Sequence, residues 1–170
     1  ETQWRSAIIN TKRILRDAQR ARELGSQATI VSMHWGTEKD SNTNSMQTSI
    51  ADELTASGLV DLIVGHHAHV VQPTKLVNGV WVMYGLGNVL SNLPTDERWP
   101  INSQDAVIAT TALSISSSGK AVFAKPVMHP TWVDKNNGWV IRDVQKSLQS
   151  TTTSQGLARE LELSLGRTTQ

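Results

Sequence analysis

The sequence predicts an α/β fold with both parallel and antiparallel strands, and three observations carry that prediction. Two short apolar runs, residues 28–33 and 60–64, stand on either side of a helix-like segment, all within about 36 residues, which is the spacing of a βαβ unit. Asn78-Gly79 then separates two further apolar runs and signals a tight hairpin, because both residues tolerate the positive φ of a type I′ turn. Beyond it, residues 106–116 and 120–128 read as two more strands about the turn Ser117-Ser118-Gly119. The right-handed crossover of a βαβ unit makes its two strands parallel, so three or more layers are expected, with strands 28–33 and 60–64 side by side or nearly so.

Each element has its own local reason. From residue 4 to 24, Trp4, Ala7, Ile8, Thr11, Ile14, Leu15, Ala18 and Ala21 recur at helical spacing while Lys12, Arg13, Arg16, Arg20 and Arg22 fall largely opposite, so an amphipathic helix is expected, stopped near Gly25. Its basic side is read as a solvated face rather than a polyanion dock. Asn44 followed by Gln47 makes a capping box, and Met46, Ile50 and Leu54 are placed on one face of the helix that follows, which Gly58 ends. The run 60–64, broken only by Asp61, suits a strand covered on both faces, and Gly65 is read as the point where the backbone turns out of the sheet.

After the hairpin of 70–77 and 80–85, Gly85-Leu86-Gly87-Asn88 is a tight turn, with Asn88 read as a backbone-capping side chain ahead of a neutral oxygen ligand. Residues 91–103, with Pro94 and Pro100, read as an irregular loop. Residues 131–139 are expected to be a tryptophan-containing loop. Weak helical patterns at 140–148 and 157–165 are separated by the serine- and threonine-rich joint 150–154.

Composition narrows the function. The 170 residues hold 16 basic and 15 acidic side chains, a net charge of +1, so no global field argues for nucleic acid. With no cysteine, disulfides, thiolate metal sites and thiol catalysis are excluded within these residues. No apolar run approaches the 18 residues of a membrane span. The chain begins with Glu1 and is expected to be a processed or excised piece of a longer protein.

The chemistry concentrates in His66-His67-Ala68-His69, three of the five histidines in four positions, directly after an apolar strand. Strand 28–33 delivers His34-Trp35-Gly36-Thr37-Glu38 in the same way. Parallel strands end on one sheet edge, and in open α/β sheets that edge binds ligands. In an extended segment side chains i and i+2 point alike, so His67 and His69 are expected to face a common point, a two-nitrogen clamp for zinc, manganese or iron, with His34 beside them. Glu38 is the nearest obvious carboxylate. A metal there would polarise a substrate oxygen and lower the pKa of bound water.

The motifs His34-Trp35-Gly36-x-Glu38, Gly65-His66-His67-Ala68-His69-Val70-Val71-Gln72-Pro73 and Gly85-Leu86-Gly87-Asn88, in that order, resemble the second half of the bacterial CapA family. These are capsule-synthesis, poly-γ-glutamate biosynthesis proteins related to the calcineurin-like metallophosphoesterases, and the resemblance runs from about Trp4 to His129. It implies layered mixed sheets of the metallophosphoesterase type, the second half of an α-β-β-α sandwich, over residues 1–130, with 131–170 as a loop and helical extension. It implies His34, His67 and His69 as metal ligands; His66 and Glu38, beside them in the sequence, are the candidate catalytic groups. It also implies a divalent metal held only together with the family's amino-terminal half, which carries Gly-Asp and Asn-His motifs, so this chain alone is expected to be inactive.

The implied function is capsule or poly-γ-glutamate biosynthesis on the extracytoplasmic face of the cell envelope. A metal-dependent hydrolase and a non-catalytic protein that holds the anionic polymer around a vestigial site are the two forms it can take. The implied partners are an anionic capsule polymer or a phosphate ester, the amino-terminal half of the domain, and other capsule-assembly proteins.

Overall fold

The computed structural model describes residues 8–169. Its first layer is helical. Helix α1 (Thr11–Glu23) starts at Asn10, whose side chain accepts from Arg13 N, and closes just before Gly25, at φ +93°. Ile8 to Asn10 are not helical, and the part of the expected helix before them lies outside the described residues. Helix α2 (Ser45–Ala56) opens on the expected capping box, with Asn44 accepting from Gln47 N and Gln47 Oε1 accepting from Asn44 N.

The face that α2 buries differs from the expected one. Gln47, Ala51, Leu54 and Thr55 are covered while Met46 is exposed. Gln47 is buried because its Nε2 donates to Gln72 Oε1 at 2.8 Å, so a polar pair fills the place where an apolar reading puts methionine.

The second layer is a four-stranded sheet built from β1 (Ile30–His34), β2 (Leu62–His66), β3 (Val71–Val77) and β4 (Val80–Leu86), in the order β1-β2-β4-β3. Strands β1 and β2 are parallel neighbours, running from Ile30 opposite Leu62 to His34 opposite His66, as the βαβ spacing requires. Their entry ends are tied by Asp61, which precedes β2 and whose carboxylate accepts from Thr29 N and from Arg22 of α1. One arginine of the basic helix face is therefore engaged in packing rather than solvated.

Met33, Ile63, Val82 and Tyr84 on one side of this sheet pack with Ala51 and Leu54 of α2 and with Ile14 and Leu15 of α1 to form the main core. Across the hairpin Val77 pairs with Val80, and Asn78 and Gly79 have φ of +48° and +80°. Open space surrounds Gly79, so Gly79→Val meets no clash but forces a β-branched residue into the left-handed region. Thermal or urea unfolding is expected to show a loss of roughly 1 kcal/mol or more. An unchanged midpoint would contradict the turn.

The third layer is antiparallel. Strands β5 (Asp105–Thr110), β8 (Val127–Asp134) and β9 (Val140–Asp143) form one sheet, and β6 (Leu113–Ile115) pairs with β7 (Ala121–Phe123). The single hairpin expected over 106–128 is thus interrupted. Thr111 and Ala124 still hold it together, but Pro126 lacks an amide to donate, and the ladder restarts only at Val127.

Thr131 to Asp134, expected in a loop, are the buried end of β8, and Val140 to Asp143, expected helical, are strand. Short alternating segments of this kind carry too few residues to separate the two periods. Helices α3 (Val144–Leu148) and α4 (Gln155–Thr168) cover this sheet, burying Trp132, Val144 and Leu161 in a second core. The result is a layered α/β fold with helices outside both sheets.

Candidate functional site

Strands β1 and β2 end in register at His34 and His66, so the parallel pairing itself sets two histidines side by side on one sheet edge. Trp35 follows His34 and is almost fully buried, its Nε1 donating to the Tyr84 carbonyl of β4 at 3.0 Å while its ring stacks on Tyr84. To reach Tyr84 the indole crosses Gly65, where a Cβ would stand 2.0 Å from Tyr84 O and 2.4 Å from Trp35 Nε1. Gly65 is therefore not the turn that the sequence suggested. It lies inside β2, opposite Met33, and is required for close approach of the indole.

The chain leaves the sheet one residue later. His67 and His69 both have positive φ, +102° and +61°, so the chain turns sharply over 67–69, directly after β2, and is not an extended segment there. The i, i+2 rule consequently does not explain why the two rings are near each other, with centroids 6.3 Å apart. The turn does. Ala68 between them is buried, and its carbonyl accepts from Lys39 N at 2.7 Å, which fixes the turn against the loop that carries Glu38 and Lys39. That loop is anchored in turn by Gln72, whose Nε2 donates to the carbonyls of Asp40 and Asn42.

His34 Nε2 and His67 Nδ1 face each other at 2.9 Å, with ring centroids 4.6 Å apart. One of the two nitrogens carries a proton and the other a lone pair. His69 Nδ1 lies 3.0 Å from Asn88 Oδ1. Asn88 Nδ2 donates to the carbonyls of His69 and Ser103, so the orientation of its amide is settled and Oδ1 must accept. His69 therefore carries a proton on Nδ1, which leaves Nε2 as the one ring nitrogen that can offer a lone pair to a metal. Asn88 combines the capping expected of it with this orienting role.

His69 Nε2 is 3.9 Å from Glu38 Oε1. His66 is exposed beside the cluster and lines the same concavity as His34, His67, His69 and Asn88.

Two residues absent from the sequence reading complete the surroundings. The Trp99 ring meets His69 edge-on at 5.2 Å, and Lys39 Nζ stands 4.5 Å over Trp99. Trp99 arrives from an irregular loop, which no periodicity could have placed.

Partial burial of its ring, and then repulsion from the imidazoles of His67, His66 and His69, lowers the pKa of His34 below its ordinary 6.5. Above that pH both folded and unfolded chains hold His34 neutral, and it contributes nothing to stability. As pH falls through 6.5 the unfolded chain protonates first, so stability declines over the window down to the folded pKa. An NMR titration is expected to show His34 with the lower midpoint than a free histidine; a midpoint above 6.5 would contradict the packing of the rings.

The donor set fits a metal only in part. His34 Nε2 and His67 Nδ1 are close enough for one ion at about 2.0–2.1 Å from each. Among the described residues, however, no group of three or more histidine, cysteine, aspartate or glutamate side chains is arranged to hold one.

Comparison with known proteins follows the same segment. A family model described as bacterial capsule synthesis protein PGA_cap matches residues 1–93. The PGA biosynthesis protein CapA of Bacillus subtilis (strain 168) is 33% identical over 91 residues, 54% of this chain and 22% of that protein. The capsule biosynthesis protein CapA of Bacillus anthracis is 32% identical over 79 residues, 46% of this chain and 18% of that protein. A probable polyglutamine synthesis accessory protein of Mycobacterium tuberculosis (strain ATCC 25618 / H37Rv) is 33% identical over 63 residues, 37% of this chain and 16% of that protein. The chain thus spans about a fifth of the length of these relatives.

Proposed function

The chain belongs to the PGA_cap family of bacterial capsule synthesis proteins, and from that membership we propose that it serves the biosynthesis of capsular poly-γ-glutamate, with the histidine edge as its working part. One observation carries this reading. The segment matched to the family, residues 1–93, contains His34, Glu38, His66, His67, His69 and Asn88, the whole of the edge described above.

The edge gathers imidazole nitrogens, with Nε2 of His69 oriented by Asn88, as the nitrogen half of a divalent-metal centre for zinc, manganese or iron. Acidic ligands from outside the described residues are needed to balance the charge of such an ion, so we assign the metal to the longer protein and not to this chain alone. His66 and Glu38 are the groups assigned to proton handling in a hydrolase acting on a γ-glutamyl or phosphate-ester bond. The same reading puts its action on the outer face of the cell envelope, and the word capsule in the family's description and in the name of the Bacillus anthracis relative supports this. No helix among the described residues is long and apolar enough to cross a membrane.

A second reading, a non-catalytic component that holds the anionic polymer, is favoured by Lys39, whose ammonium is held over Trp99 beside His69. Deleting the coding sequence from its host and measuring capsular polymer tests the shared premise. Loss of polymer, restored by the full gene, is the expected result; unchanged polymer would overturn it. Polymer retention by the purified protein in the presence of a chelator then favours the second form over the first.

A further inference from the structure

On the side of the four-stranded sheet away from α1 and α2, a cavity of about 240 Å³ opens between β3, β4, β5 and the end of α4 and shares no lining residue with the histidine edge. Trp81, Val107, Pro126 and Met128 make one part of its wall apolar, and its charged lining residues are Lys125 and Arg167. No acidic side chain lines it. Arg167 is already neutralised, because Nε and Nη2 donate to the buried Asp105 carboxylate. Among the described residues Lys125 has no acidic partner. The cavity therefore presents a net charge of one cation against aliphatic and aromatic walls.

Hydroxyls add direction to the charge. Ser41 Oγ, in the lining, accepts from Asn102 Nδ2 and keeps its own proton to donate. Thr74 is a second lining hydroxyl. Lys125 lines the cavity while remaining exposed, so its single charge meets the one charge of a carboxylate at the cavity's edge. Apolar walls around one cation suit methylene groups attached to that anion. The volume lies below the usual range of ligand cavities, which fits a body of a few carbons and excludes a large ring system.

From these features we propose that the cavity is a binding site for a carboxylate carried on a short aliphatic chain, with Lys125 as its counter-ion. Such a group occurs as a free short-chain acid and also as a residue of a γ-glutamyl polymer, which bears one carboxylate and two methylenes per unit. The inference stands on the cavity's own chemistry and does not depend on the histidine edge.

The experiment titrates the full chain, by NMR of the tryptophan indole protons, with butyrate in one arm and a short γ-glutamyl oligomer in the other. Saturable shifts of the Trp81 indole are expected, assigned by their disappearance in Trp81→Phe. Lys125→Gln is expected to weaken binding about tenfold, the size of one charge-assisted hydrogen bond. Lys12→Gln, which removes an exposed lysine from α1, is expected to bind as the unaltered chain does and controls for net charge. Binding of butyrate alone assigns the site to free acids, and binding of the oligomer with displacement by butyrate assigns it to the polymer. No shift in either arm, binding indifferent to Lys125→Gln in folded protein, or inorganic phosphate bound as tightly as butyrate would each overturn the proposal.

Discussion

Gly65→Ala is expected to be the most damaging single-methyl change in the described residues. The added Cβ would lie 2.0 Å from the Tyr84 carbonyl oxygen and 2.4 Å from Trp35 Nε1, and the first of these is backbone in the neighbouring strand of the same sheet. A flexible side chain could swing away, but the carbonyl can move only if β2 and β4 separate or the indole leaves. Either response breaks the Trp35 Nε1 to Tyr84 O hydrogen bond and opens a nearly solvent-free core. A loss of at least about 3 kcal/mol is expected, the upper end of what overpacking costs. Because Trp35 directly follows His34, near-ultraviolet circular dichroism and the His34 resonance should change together. A variant as stable as the parent would refute the close-approach role of Gly65.

Arg167→Met is expected to cost about 3–5 kcal/mol, through the carboxylate it abandons. The Asp105 side chain is 1% exposed, and it accepts from Arg167 Nε at 2.5 Å, Arg167 Nη2 at 3.0 Å and Ser164 Oγ at 2.7 Å. Burial pushes the Asp105 carboxyl above its ordinary range, while the hydrogen bonds from Arg167 and Ser164 pull it down. Folded protein thus retains this proton to higher pH than the unfolded chain, and the ionised form costs stability as pH rises through the folded pKa. Without Arg167 the carboxyl shifts further up. The deficit of the variant is therefore expected to be full near neutral pH and to shrink as pH falls below the carboxylate range, where the group is neutral in both states. Urea unfolding at both ends of that range measures it, and a deficit independent of pH would contradict the assignment. The effect should reach the histidine edge, since the backbone carbonyl of Asp105 accepts from Asn88 N, the residue that orients His69.

What could be read from the sequence was what depends on near neighbours. The Asn44 capping box, the Asn78-Gly79 turn and the parallel pairing of the first two strands each rest on a few adjacent residues or on the handedness of one crossover, and the structure has all three. Gly65 was misread because a glycine that frees the backbone and a glycine that makes room for a distant indole are identical in sequence. Only the meeting of Trp35 with Tyr84, 49 positions apart, separates them.

The histidines illustrate a related limit. Their nearness to one another followed from parallel strand ends, but the positive φ of His67 and His69 did not, because nothing in a histidine announces the left-handed region. The Asp105–Arg167–Ser164 network and the Lys39–Trp99–His69 stack join segments too far apart for any period to link them.

The proposed role of the histidine edge in polymer synthesis is measured by the capsular poly-γ-glutamate that a strain produces when its only copy of the protein carries His67→Ala. His67 is partly exposed and its ring meets His34 at the surface, so the substitution is expected to leave the amount of folded protein unchanged. Polymer is expected to fall to the level of the deletion strain at unaltered protein abundance. Polymer at the parental level, with the variant protein present in normal amount, would contradict it.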